Sequence, residues 1–186
     1  MSTLSNYVQN IKEHYERLWG ASESEYWDKG PLRELPRRFS VLRFEPRAKR
    51  RLWTYATCGM SLPSDSMPLE LHIYSQRENR RLVELLAVVT HYHRTGSLLG
   101  LGDTVNFGEP WFDGSQCDHA LISLPYLDGP DLEWLELGQV NVRFLWLIPI
   151  TPLELEHKKR FGLESLEAQL ESARVDYADP KRPSVV

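Results

Sequence analysis

The stretch VRFLWLIPITPLELEHKKRFG, residues 142–162, decides the architecture of the chain. Its first half is almost wholly apolar, as a strand buried on both faces would be. The run stops at Pro149-Ile150-Thr151-Pro152, and charge follows at once. Two readings of that joint compete: an active-site loop built around Glu154, or the handover from a buried strand to a helix. The residue order favours the handover. Thr151 suits an N-cap. Pro152 suits the first helical position, where no backbone donor is needed. Glu154 stands three residues after Thr151, the spacing of a capping box. Ile150 before the cap and Leu155 in the first turn suit a hydrophobic staple. His157, Lys158, Lys159 and Arg160 crowd the last turn, where the helix dipole favours cations. Every residue at the joint has a structural task, so Glu154 needs no catalytic one.

Working outward from this joint, Leu163, Leu166, Leu170 and Ala173 share one face and predict a second helix, followed by an extended segment DYADPKRPSVV. Near the other end, Val8, Ile11, Tyr15 and Leu18 predict a helix over 6–19, closed by Gly20. Residues 20–38, with Pro31 and Pro36 among charges, read as a long loop. Strands are expected at 39–46 and 51–58, joined by the basic turn RAKR, and at 69–75, where Leu69, Leu71 and Ile73 alternate onto one face. Leu82, Leu85, Leu86, Val89 and His93 form one stripe of a helix over 78–94 that ends at Gly96. The Gly- and Asp-rich stretch 98–117 reads as a short strand between loops. HALISLPY (119–126) reads as a strand, and LEWLEL (132–137) fits either type. Strands gather in meanders and do not alternate regularly with helices. The fold class is therefore α+β: a mixed, mostly antiparallel sheet with helices packed on it.

Composition sets the outer limits. Hydrophobic residues make up 41%, with six Trp, eight Tyr and six Phe, which predicts a packed chain whose 186 residues suit a single domain, 1–186. A net charge of −4 argues against general nucleic-acid binding. Cys58 and Cys117 are the only cysteines and form no C-x-x-C pair, so no zinc knuckle or disulfide framework is indicated. No apolar run is long enough to span a membrane, and the first residues lack the pattern of a signal peptide. A cytoplasmic protein is expected, with no membrane association.

The candidate chemistry is thin. His91 and His93 form an H-x-H, but on a helix a two-residue step rotates by about 200°, so they cannot share a metal ion. Cys117, Asp118 and His119 lie side by side, whereas a Cys–His nucleophile pair normally comes together from distant segments. GLGDT (100–104) lacks the spacing and the lysine of a phosphate loop. No metal and no cofactor are expected. Arg33, Arg37, Arg38, Arg43, Arg47, Lys49, Arg50 and Arg51 form a basic strip that reads as a solvated hairpin. Asp128, Asp131, Glu133 and Glu136 surround Trp134, which either points into the core or anchors a partner.

The string WTYATCGMS (53–61), LELHIYS (69–75), LVELLAVVTHYH (82–93), GDTVNFG (102–108), HALISLP (119–125), VRFLWLIPITPLELE (142–156) and GLESLEAQL (162–170) resembles the suppressor of fused family in order and spacing, across roughly residues 5 to 186. The length resembles the bacterial, single-domain form. The resemblance implies an α+β domain without known enzymatic activity. Eukaryotic members hold a transcription factor's peptide in a cleft, and bacterial members are proposed immunity proteins that neutralise a toxin. After Gly59-Met60-Ser61 the eukaryotic loop is longer, and here only SLPSDSMP remains. The eukaryotic second, peptide-clamping domain has no counterpart either, so no peptide-binding residue is carried over.

A non-enzymatic protein-binding domain is therefore expected, acting as an immunity protein against a toxin. A regulatory adaptor is the alternative, and a small hydrolase using His91, Asp103 or His119 a more distant one. Two segments offer large apolar groups among carboxylates: Glu109, Trp111, Phe112 and Asp113 in one, and Asp128, Asp131, Glu133 and Trp134 in the other. Trp111 or Trp134 is the expected anchor.

Overall fold

The computed structural model of the chain describes residues 3–26, 35–48 and 50–186. Its helices are α1 (Thr3–Trp19), α2 (Arg81–Thr95), α3 (Pro130–Glu133), α4 (Pro152–Phe161) and α5 (Leu163–Ser172). Its strands are β1 (Glu23–Glu25), β2 (Ser40–Phe44), β3 (Trp53–Cys58), β4 (Leu69–Ser75), β5 (Thr104–Asn106), β6 (His119–Ser123), β7 (Trp134–Leu137) and β8 (Val140–Ile150). They form one mixed sheet in the order β1-β2-β3-β4-β8-β6-β5, with β7 paired to β8 off that path. Among the described residues, β4 and β8 make the one parallel pair and the rest are antiparallel. The α+β class read from the sequence is the class observed.

The apolar run at 142–150 becomes β8, with β4 on one edge and β6 and β7 on the other. Its side chains divide by the two-residue pleat. Leu145 and Leu147 enter the core beneath α2, with Leu71, Ile73, Leu82 and Leu86. Phe144 faces the opposite way, into a core closed by Tyr7, Ile11, Tyr15 and Trp19 of α1. Trp146, Ile148 and Ile150 share that second face and meet Leu155, Leu166 and Leu170 of α4 and α5. The sheet thus carries α2 on one face and α1 with α4 and α5 on the other.

One reading needs correction. The stretch 20–38 is not loop throughout: β1 pairs with β2 there, and residues 27–34 lie outside the described residues. β4 sends Leu69, Leu71 and Ile73 toward α2 as expected, yet all seven of its residues are buried. Its polar face is roofed by α1, and the polar groups are met internally. The Glu70 carboxylate accepts from Thr57 Oγ1 at 2.6 Å, Ser61 Oγ at 2.7 Å and the backbone N–H groups of Ser61 and Met60 at 3.0 and 3.3 Å. Because the Ser61 hydroxyl donates to Glu70, Tyr7 donates to Ser61 across 2.8 Å and ties α1 to this hub. Burial pushes the Glu70 carboxyl up, and these donors oppose that shift.

His72 lies on the same face, fully buried, and neither ring nitrogen has a partner among the described residues. Burial first, and the nearby Arg50 charge second, lower its pKa from 6.5 to about 3. Between those values the unfolded chain binds a proton that the folded chain does not, so stability falls as pH drops through the window. The expected slope from this group is at most about 1.4 kcal/mol per pH unit. Urea denaturation from neutral pH down to about pH 4 checks it: His72→Phe should flatten the acid limb, and an unchanged slope would contradict the assignment.

The joint at 151 is a strand-to-helix handover. Glu154 N–H donates to Thr151 Oγ1 at 3.2 Å, and Thr151 N–H donates to Glu154 Oε2 at 2.8 Å, which is the reciprocal capping box. Thr151→Ala is expected to cost about 0.5–2 kcal/mol in chemical denaturation and to leave partner binding by the folded protein unchanged. Lost binding at intact stability would make the joint a functional loop instead.

Candidate protein-interaction site

The β7–β8 hairpin turns tightly at Gly138, whose φ of 70° suits glycine. Along β7 the pleat sends Leu135 and Leu137 toward the α1 core and leaves Trp134 and Glu136 on the outer side. Trp134 is 48% exposed, so the inward reading of this residue is wrong: the inward positions already belong to the two leucines. Arg143, its register partner on β8, stacks a guanidinium over the indole at 5.0 Å from the ring centroid. Glu133 holds that guanidinium through Nη2 at 2.8 Å and Nε at 3.1 Å. The tryptophan is therefore braced by its neighbours while one side of it meets solvent.

A groove of about 570 Å³ runs beside the hairpin, bounded by the loops at 63–69 and 99–101. Met67 and Leu101 share its rim with Trp134 and are 66% and 39% exposed. Both loops are fixed. Asp65 accepts from Leu62 N–H at 2.8 Å and pairs with Arg94 of α2 at 2.6 Å. Asp103 accepts from Gly100 N–H at 2.8 Å, which closes the GLGDT turn and lifts Leu101 to the surface. That Gly-rich stretch is a turn, not a phosphate loop. Neighbouring exposed apolar groups with a polar rim are the make-up of an interaction surface. Met67 and Leu101 were invisible to periodicity, because both sit in loops; the flanking Pro63 and Pro68 were the available signal of a held segment.

The other candidate residues separate. Trp111 is only 1% exposed and packs edge-on to half-buried Phe112 at 4.7 Å. It belongs to the core beneath α2 and cannot anchor a partner. Glu109 and Asp113 remain exposed and pair with Arg81 of α2 at 2.5 and 3.8 Å, pinning this turn to the helix. Asp128 is a fold carboxylate, not a surface charge: Trp19 Nε1 donates to it at 2.6 Å, and the Tyr74 hydroxyl donates to its other oxygen. Glu133 is neutralised by Arg143, while Asp131 and Glu136 are exposed. The expected acidic ring around Trp134 is thereby reduced to two free carboxylates and one ion pair.

His91 Nδ1 is buried without a hydrogen-bond partner among the described residues, whereas the other catalytic candidates have structural roles. His93 Nδ1 accepts from Leu99 N–H at 2.9 Å. His119 and Asp118 bond to each other at 2.6 Å. Cys117 is fully buried, and burial pushes its thiol up, which keeps it from the reactive thiolate form. Among the described residues no group of three or more His, Cys, Asp or Glu is placed to hold a metal ion, and no helix is long and apolar enough to cross a membrane. The basic strip is partly consumed as well: Arg43 bridges Glu23, Glu25 and Glu78, whereas Arg37 and Arg38 are exposed and Arg33 and Lys49 lie outside the described residues.

Comparison with known proteins bears on family and fold. The profile of the suppressor of fused protein family matches residues 36–183. Immunity protein YqcF of Bacillus subtilis (strain 168) is 40% identical over 68 residues, which are 37% of this chain and 35% of that protein. A crystal structure of a suppressor of fused homologue from Neisseria gonorrhoeae FA 1090 matches with a TM-score of 0.84 and 31% identity, over 98% of each chain. The structure of a Sufu–Fu complex matches with a TM-score of 0.68 over 98% of this chain and 91% of that one; at 17% identity it is similar in fold alone. With the family profile spanning most of its length and the fold in agreement, the chain belongs to the suppressor of fused protein family.

Proposed function

We propose that this chain is a non-enzymatic immunity protein that binds a toxin and neutralises it by covering the toxin's working surface. The observation that carries the reading is the braced, half-exposed Trp134 beside exposed Met67 and Leu101 on one groove. Aromatic anchors held rigid before binding lose little conformational freedom on association, and so give affinity. Two comparisons support it: a relative bears the name immunity protein, and a protein of this fold is held in a complex with another protein. The same complex favours the second reading, a regulatory adaptor that sequesters its partner. Electrostatic steering has a small part, since Glu133 is already paired at the groove.

Growth of cells expressing the product of the adjacent reading frame, with and without this chain, tests the proposal. Arrested growth restored by co-expression of the chain is the expected result. Tight binding of a product that is not toxic would favour the adaptor, and neither rescue nor binding would overturn both readings.

A further inference from the structure

At the opposite end of β4 from the groove, a second hollow of about 510 Å³ lies between the end of α1 and the bridged residues Arg47 and Arg50. Trp19, Tyr74, Leu52 and Leu127 give it apolar walls, and two guanidinium groups converge on it. Arg50 stacks on the Trp19 ring at 4.6 Å, with its side chain 19% exposed. Its Nε and Nη1 are buried and have no hydrogen-bond partner among the described residues. The nearest carboxylate, Asp128, is 3.9 Å from Nη1 and is already engaged by Trp19 and Tyr74. Arg47 lies against Gly20, where any side chain would overlap its guanidinium. Among the described residues Arg47 has no ion pair and no side-chain hydrogen bond. His72, with both nitrogens unpartnered, sits behind the walls at 5.3 Å from the Trp19 and Tyr74 rings.

Buried polar groups in folded proteins nearly always have partners, and of the residues that line the hollow Arg50 leaves two nitrogens without one among the described residues. Arg47 and Arg50 place two positive charges on one hollow, and Asp128, 3.9 Å from Arg50, balances one of them, so among the described residues an excess positive charge remains there. Guanidinium forks match the oxygens of phosphates and carboxylates. We infer that the hollow between Arg47 and Arg50 binds an oxyanion, a phosphate or carboxylate group, seated against the exposed part of the Arg50 guanidinium and closed over by Arg47. Leu69 at one end of β4 borders the groove and Tyr74 near the other end borders this hollow, so the inference is independent of the toxin-binding reading.

The test is titration of the isotopically labelled chain with inorganic phosphate, and separately with citrate, at ionic strength balanced by chloride. The side-chain resonances of Arg50 Nε–H and the Trp19 indole N–H are followed. The expected result is a saturable shift of both with at least one of the two anions below about 10 mM, where a millimolar site is filled. Arg50→Gln should abolish the shift. Arg47→Gln, at an exposed position that leaves the core intact, should weaken binding about tenfold or more. Saturation by phosphate alone assigns a phosphate group, by citrate alone a carboxylate, and by both a general oxyanion site. No saturable shift with either anion, or equal affinity in folded Arg47→Gln, would overturn the inference.

Discussion

Arg182→Ala is expected to destabilise the fold by about 3–5 kcal/mol, because it leaves a buried carboxylate without its counter-charge. Arg182 and Glu154 have side chains only 4% and 0% exposed. The guanidinium fork meets both carboxylate oxygens, Nη1 to Oε1 at 2.6 Å and Nη2 to Oε2 at 2.8 Å, and Nη2 also donates to Pro149 O at 2.8 Å. Glu154 further accepts from Val185 N–H at 3.1 Å. One carboxylate thus joins the end of β8, the cap of α4 and the segment 182–185. Removing the arginine strands the charge and frees the Pro149 carbonyl, whereas replacing both partners leaves no unpaired charge. Arg182→Met with Glu154→Gln should therefore lose less than Arg182→Ala alone. The check is the shift in urea midpoint at constant slope. A loss under about 1 kcal/mol for Arg182→Ala would reduce the pair to the rank of a surface bridge.

The same pair shows how far the sequence could be read. Thr151, Pro152 and Glu154 announce a capping box through local spacing alone, and the box is formed. That Glu154 also receives Arg182 depends on a contact 28 residues away, and nothing in the local pattern of DPKRPS marks that arginine as buried. β4 teaches the same point. Its alternation correctly placed Leu69, Leu71 and Ile73, but Glu70 and His72 look solvated only until α1 is known to cover them. β8 was legible because burial on both faces leaves a continuous apolar run. At the candidate site, Trp134 was found because acids surround it, although the ring they suggested is largely absent: Asp128 bonds to Trp19 and Tyr74, and Glu133 to Arg143. Trp111 carried the same compositional mark and points into the core. Composition alone cannot distinguish the two, since the direction of a loop tryptophan is fixed by tertiary packing.

Trp134→Ala should weaken the affinity for the protein partner by at least about 30-fold, the loss of about 2 kcal/mol or more that marks a hot-spot aromatic. The fold should tolerate the change, because the indole is half exposed and the inward positions of β7 belong to Leu135 and Leu137. Arg143→Gln should weaken binding less, since it removes the brace at 5.0 Å and leaves the ring in place. Most of both effects is expected in the dissociation rate. Calorimetry alongside a thermal melt separates lost binding from lost folding. Unchanged affinity in a folded Trp134→Ala variant would remove this residue from the interface.

The central claim, that the groove at Trp134 is the partner-binding surface, is tested most directly by hydrogen–deuterium exchange of the chain alone and bound to the product of the adjacent reading frame. New protection confined to the loops at 63–69 and 99–101 and to the hairpin 134–143, which together bound the groove, is the predicted footprint. Protection that leaves these segments unchanged and falls instead on the outer surface of α2, or on α4 and α5, would contradict it.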